Sequence, residues 1–192
     1  MYDPDKGTWS LTDYQLTPRY SHSVTLLSDG RVLVSGGATN YGLILNTAEV
    51  YDPAKGRWFS GGYMTATRYR HPALLLPSGK VLVSGGYLGS GIVADELYDP
   101  AVNNWSEIKS MAVSRFRYTA TLLPSGKVLV TGGAGSSSVL ATASCTHLEG
   151  RLPLSLSRGF APAWPAAWLH SQSASPLGMK VFCCRVSGNG AR

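Results

Sequence analysis

Arginines are the residues in this chain whose type and spacing come closest to a recognition chemistry. Arg19, Arg68 and Arg115 are separated by 49 and then 47 residues, and Arg70 and Arg117 each lie two places after the second and third of them. A guanidinium offers a planar fork of donors that matches a carboxylate, so arginines collected on one surface suit an acidic peptide. Identical recurrence also fits a scaffold role, in which Arg19, Arg68 and Arg115 bond loop carbonyls where the chain enters each unit. Arg70 and Arg117, with the loop residues Asn40, Tyr41 and Tyr87, are therefore the candidates for a ligand face.

Other reactive constellations do not assemble. His22 and His71 occupy one repeated position, but the third copy has Tyr118 there, a mixture unsuited to a metal site. The stretches Gly36-Gly37-Ala38-Thr39-Asn40 and Gly85-Gly86-Tyr87-Leu88-Gly89 look superficially like phosphate loops. Neither is followed by a helix N-terminus or a Lys-Ser/Thr pair, so both read as turns leaving a strand. Asp52 and Asp99 repeat one another, which argues for turn formation over acid catalysis. Cys145, Cys183 and Cys184 lack the C-x-x-C spacing of a zinc site. No Ser-His-Asp or Cys-His set can be drawn, so the expectation is a non-enzyme with no catalytic residue, metal or cofactor.

Charge narrows the partners. The net +6 divides into +2 over residues 1–143, with 12 basic and 10 acidic side chains, and +4 over residues 144–192, with 5 and 1. The basic excess is spread over Arg151, Arg158, Lys180, Arg185 and Arg192 without a dense cluster, so nucleic acid is not an expected partner. No apolar run approaches the ~18 residues of a membrane helix. The most apolar part of the tail, 160–169, is broken by Pro162 and Pro165, and no membrane partner is expected either.

What must position the arginines is a repeat. Tyr-Asp-Pro begins at Tyr2, Tyr51 and Tyr98; tryptophan follows at Trp9, Trp58 and Trp105; glycine pairs stand at Gly36 and Gly37, Gly85 and Gly86, and Gly132 and Gly133. Each series keeps the 49 and 47 residue steps of the arginines, the signature of a repeated structural unit. In the second unit the apolar runs 71–76 and 80–84 flank Pro77-Ser78-Gly79, a tight hairpin with Gly79 in the left-handed region. A third strand over 94–98 leads through an Asp-Pro turn to a short fourth strand at Trp105. Four antiparallel strands per unit, with no helical period over 1–143, give a sheet that neighbouring sheets must cover, as in a propeller blade. In that topology the variable loops 38–46, 87–93 and 134–139 share one face with the arginines, and the Pro-Ser-Gly and Tyr-Asp-Pro turns take the other.

The strings VLVSGG…AEVYDPAKGRW and VLVSGG…DELYDPAVNNW resemble the kelch motif: a glycine pair after an apolar strand, a tyrosine about a dozen residues on, and a tryptophan seven further. The resemblance covers residues 1–143. It implies an all-β, incomplete kelch-type β-propeller of four-stranded antiparallel blades, with the tyrosine and tryptophan packed between blades. With the arginines and variable loops on one face, the expectation is a protein-interaction module that binds a protein or acidic peptide there. An alternative is the non-catalytic propeller part of a secreted, carbohydrate-associated or galactose-oxidase-like protein. That enzyme's copper-radical cofactor needs a cysteine cross-linked to a tyrosine, and residues 1–143 contain no cysteine. Propellers close with 4 to 8 blades. Two full motifs, a third that stops after its glycine pair and the last strands of a preceding one predict a fragment, or else two copies forming a six-bladed ring. Open blade edges favour self-association.

The repeat fails abruptly. After Ala143 the chain reads Ser144-Cys145-Thr146-His147, where earlier units read Glu49-Val50-Tyr51-Asp52-Pro53 and Glu96-Leu97-Tyr98-Asp99-Pro100. Residues 144–192 form a non-repeat tail, rich in Ser, Pro, Ala and Gly, that is expected to be poorly ordered. With permissive codons for residues 143–148, a frame displaced by two bases spells Glu-Leu-Tyr-x-Pro, the continuation the repeat demands. Sequencing the genomic region is expected to show further kelch landmarks downstream in a second frame. One clean frame, with no such landmarks in the others, refutes the displacement.

Overall fold

The computed structural model describes residues 1–88, 94–136 and 138–146, and every regular element in them is a strand. The first blade runs outward in the order β3 (Ser23–Leu26), β4 (Val32–Ser35), β5 (Thr47–Asp52) and β6 (Arg57–Tyr63). The second repeats it with β7 (Ala73–Leu75), β8 (Val81–Val83), β9 (Asp95–Asp99) and β10 (Asn104–Ile108). The third comprises β11 (Thr119–Leu122), β12 (Val128–Thr131) and β13 (Ala143–Thr146), and a two-stranded hairpin of β1 (Tyr2–Asp3) and β2 (Thr8–Trp9) precedes the first. All pairings are antiparallel, and the innermost strands β3, β7 and β11 lie side by side. The fold is the open, four-stranded-blade architecture expected from the repeat.

Local chemistry explains each turn. In the inner hairpins Gly30, Gly79 and Gly126 have φ of +85°, +80° and +77°, and their amides donate to Leu27, Leu76 and Leu123 at 3.1, 2.9 and 2.9 Å. A residue with a Cβ would adopt that conformation only at a cost of ~1–2 kcal/mol. In the outer hairpins one carboxylate oxygen of Asp3, Asp52 and Asp99 accepts the amide two residues on, each time at 3.0 Å. These Asx turns set Tyr2 opposite Trp9, Tyr51 opposite Trp58 and Tyr98 opposite Trp105, with ring centroids 5.1, 5.1 and 5.0 Å apart. Trp105 Nε1 then donates to Gly61 O of the preceding blade at 2.8 Å, so the tryptophan does bind across blades.

The core lies between sheets. Leu33, Val50 and Met64 of the first blade meet Val81, Val83 and Tyr98 of the second; Leu76 and Leu82 of the second meet Val128 and Val130 of the third. All of β8 is buried, because both its faces are covered by neighbours, which is why that strand is a continuous apolar run and does not alternate. Each buried valine or leucine contributes roughly 1.5–3 kcal/mol only once the next sheet is in place.

The glycine pairs let the blades approach. Gly37 N donates to Arg68 O at 2.9 Å, and Gly86 N to Arg115 O at 3.1 Å. A Cβ on Gly36 would stand 2.4 Å from Arg68 O, and one on Gly85 would stand 2.5 Å from Arg115 O. Gly132, at the same position in the third sheet, has Leu140 O at 3.9 Å as its nearest such neighbour. The expected poor order of the tail, along with its arginines, Cys183 and Cys184, falls outside the described residues. β13, however, runs to Thr146, past the point where the repeat landmarks end. Pairing with β12 uses backbone groups, so it survives the change of side chains.

Gly36→Ala and Gly132→Ala place alanine at similar positive φ, +61° and +68°, so they share the strain and differ in the clash. Urea unfolding is expected to show a loss of ~3 kcal/mol or more for Gly36→Ala and ~1–2 kcal/mol for Gly132→Ala. Equal losses would contradict the assignment of Gly36 to blade contact.

Candidate ligand-binding face

Beneath the loop face each unit holds a buried arginine. Arg19 Nη1 donates to Gly36 O at 2.8 Å and to Thr47 O at 2.9 Å, the two ends of loop 37–46. Its Nη2 reaches Thr47 Oγ1 at 3.1 Å and Glu49 Oε1 at 2.5 Å. Glu49 in turn accepts the amides of Leu16 and Thr17, at 2.8 and 2.9 Å, from the segment arriving at the blade. The second unit copies this: Arg68 donates to Gly85 O, Ala94 O and Glu96, and Glu96 accepts Thr65 N and Ala66 N at 2.8 and 3.4 Å. Both ion pairs are removed from water, where separating the charges would be costly and the extra hydrogen bonds offset the desolvation. Arg115 bonds Gly132 O, Thr142 O and Thr142 Oγ1 at 2.9, 3.0 and 3.3 Å. These three arginines are the loop-carbonyl fasteners that identical recurrence allows.

Two residues further on, the backbone changes hand. Ser21, Arg70 and Arg117 have φ of +54°, +57° and +53°, a region in which a non-glycine residue is strained. The turn lets Arg70 N donate to Ser21 O at 2.9 Å and Arg117 N to Arg70 O at 3.0 Å, a backbone ladder from blade to blade. The preceding residues, Tyr20, Tyr69 and Phe116, pair with Ala38, Tyr87 and Ala134 in isolated bridges. Tyr87 lies between Tyr69 and Phe116, with ring centroids at 5.7 and 5.0 Å, and the Arg70 guanidinium sits 4.8 Å from the Tyr69 ring centre. Arg70 is half-buried and Arg117 exposed. The structure thus gathers Arg70, Tyr87 and Arg117 on one row, whereas Asn40 and the almost fully exposed Tyr41 lie on the first blade's loop. Tyr69 and Phe116 were not among the sequence candidates. Their signal was an aromatic residue at the same step in all three units, directly after Arg19, Arg68 and Arg115.

Against the models of known families, residues 18–65 match the kelch motif. The first blade carries a kelch motif. The matched stretch runs from the start of the first blade's clamp, through Gly36 and Gly37, to the Tyr51 and Trp58 pair. No curated protein matches the chain. The second unit keeps that geometry with Arg68, Glu96, Gly85 and Gly86, Tyr98 and Trp105. In the third, Ser144, Cys145 and Thr146 pair with Val130, Leu129 and Val128 as Glu49, Val50 and Tyr51 pair with Val34, Leu33 and Val32.

The histidines of the first two units are packing groups. His71 Nε2 lies 3.4 Å from Ser35 Oγ, and the ring sits where a Cβ on Gly36 would meet it at 2.8 Å; Tyr118 sits in the same way against Gly85. Burial, and next the Arg68 charge, hold the buried His71 imidazole down to about 3, and burial pushes the Tyr118 phenol up. Among the described residues no group of three His, Cys, Asp or Glu is placed to hold a metal ion, and no helix is long and apolar enough to cross a membrane.

An unfolded chain protonates His71 near pH 6.5, whereas the folded protein does so only near pH 3. Its neutral form therefore stabilises the fold above pH 6.5, and that contribution is lost as pH falls through the window. Chemical denaturation at stepped pH is expected to show His71→Gln losing less stability than the parent between pH 6.5 and 4, by roughly 1.4 kcal/mol per pH unit. Parallel slopes would refute this.

Proposed function

We propose that this chain is an interaction scaffold that takes an acidic, extended segment of a protein partner across its loop face, and that it performs no catalysis itself. Kelch repeats generally serve as interaction scaffolds, and residues 18–65 match that motif. The observation that carries the reading is the row of Arg70, Tyr69, Tyr87, Phe116 and Arg117 on one backbone ladder. Strained backbone at repeated positions persists only where surrounding structure holds it, and such residues cluster at ligand clamps. Here the left-handed turn fixes the base of each arginine before a ligand arrives, which lowers the ordering cost of binding. The guanidinium groups supply donors for carboxylates, and the aromatic rings between them supply apolar area for the backbone or side chains of the same segment. Residues 1–143 carry a net charge of only +2, so attraction rests on these local groups and not on a broad field that would draw nucleic acid or an anionic membrane. Asn40 and Tyr41 extend the face on the first blade's loop.

Fluorescence anisotropy with a labelled glutamate-rich dodecapeptide tests this reading. Arg70→Ala and Arg117→Ala are each expected to weaken binding about tenfold, ~1.4 kcal/mol, and to flatten its salt dependence. Tyr41→Ala should weaken it less. Unchanged affinity in both arginine variants, or no binding by the parent chain, removes the patch from consideration.

A further inference from the structure

The third blade has the clamp's cation without its anion. Arg115 is fully buried, like Arg68, and bonds the same pair of loop-end carbonyls. The position that supplies the carboxylate in the first two blades is defined by register: Glu49 opposite Val34 and Glu96 opposite Val83. Opposite Val130 stands Ser144, whose hydroxyl ends far short of where a glutamate carboxylate would reach. Among the described residues Arg115 forms no ion pair. The amides of Ala112 and Val113, which correspond to the Thr65 and Ala66 donors to Glu96, have no carboxylate acceptor there. Burial pulls the Arg115 guanidinium down, with only the Tyr118 phenol opposing it. Ala112, Val113 and Ala143 are exposed and Ser144 is half-buried, so the seat borders on solvent although the guanidinium itself is covered.

We propose that Arg115, with the amides of Ala112 and Val113, is a receptor for a carboxylate supplied from outside the three-stranded sheet. It is separate from the Arg70 and Arg117 row and does not depend on the function assigned to that row. A carboxylate is the ligand because the first two blades show one in that seat, bound by a guanidinium and two backbone amides. A neutral ligand would leave the buried charge uncompensated. Two sources share this chemistry: a small carboxylic acid, and a glutamate borne on an extended segment that adds beside β13, which pairs with β12 alone among the described strands.

Thermal unfolding of the full chain in sodium acetate and in sodium chloride at matched ionic strength and pH provides the test. Acetate is expected to raise Tm saturably, by roughly 3 °C. Ser144→Glu should show that rise in chloride alone and gain nothing further from acetate. Should Ser144→Glu fail to fold, a saturable acetate-dependent shift of the Arg115 Nε–H resonance in the parent chain stands in for it. A blocked Asp-Glu-Leu-Tyr-Asp peptide and its Glu→Gln counterpart separate the sources. Stabilisation by the first alone, at concentrations below those needed for acetate, indicates a strand-borne carboxylate; no advantage over acetate indicates a small acid. If acetate does no better than chloride, if it stabilises Ser144→Glu equally, or if the resonance shift does not saturate, the proposal is overturned.

Discussion

Arg68 belongs to two blades at once, and the architecture hangs on that double attachment. Its carbonyl accepts the Gly37 amide of the first blade, while its guanidinium fastens both ends of a loop in the second and pairs with Glu96. Glu96 then holds the segment that arrives from β6. One residue thereby fixes the spacing between sheets, the closure of a loop and the path of a connector. Because the pair is removed from water, loosening any one contact exposes the rest to the full cost of a buried, poorly compensated charge. Arg115 repeats the carbonyl attachment to Gly86, and the close approach of each arginine carbonyl leaves no room for a Cβ on the preceding glycine, Gly36 or Gly85.

The blade stack and the loop face are two outcomes of the same backbone path. After the clamp arginine the chain rises through one aromatic residue, turns left-handed at Ser21, Arg70 or Arg117, and descends into the innermost strand. The turn donates its amide to its counterpart in the preceding blade, so the candidate ligand groups are spaced by the same contacts that space the sheets. A rigid inner frame with side chains projecting from its upper rim is well suited to recognition, since little ordering remains to be done on binding.

Much of the fold was legible in the sequence because the features that mark it are backbone demands with few chemical solutions. Gly30, Gly79 and Gly126 answer a left-handed turn, Asp52 and Asp99 answer an Asx turn, and the tyrosine and tryptophan pairs answer an outer hairpin. The scaffold role of Arg19, Arg68 and Arg115 was legible from their identical recurrence. Their glutamate partners were not. Arg19 and Glu49 are joined across a loop whose length differs between units, so no fixed interval links the two residue types, and only register reveals that they meet. The left-handed turn was also hidden, because serine and arginine carry no mark of that conformation. It is imposed by the blade-to-blade ladder, which tertiary packing alone creates.

The difference between the two repeat steps has a single location. From arginine to glycine pair the interval is 17 residues in all three units, and from tyrosine to tryptophan it is seven; only the stretch from glycine pair to tyrosine changes, from 15 residues to 13. That stretch is the one whose two ends a guanidinium holds, at Gly36 and Thr47 in the first blade and at Gly85 and Ala94 in the second. Lengthening a loop with fastened ends adds only a slowly growing closure entropy, on the order of 0.6 kcal/mol for each doubling. The clamp therefore works as an insertion buffer: sequences of differing length can be exchanged above it while the sheet below is left in register, so these loops are the natural graft points of the molecule.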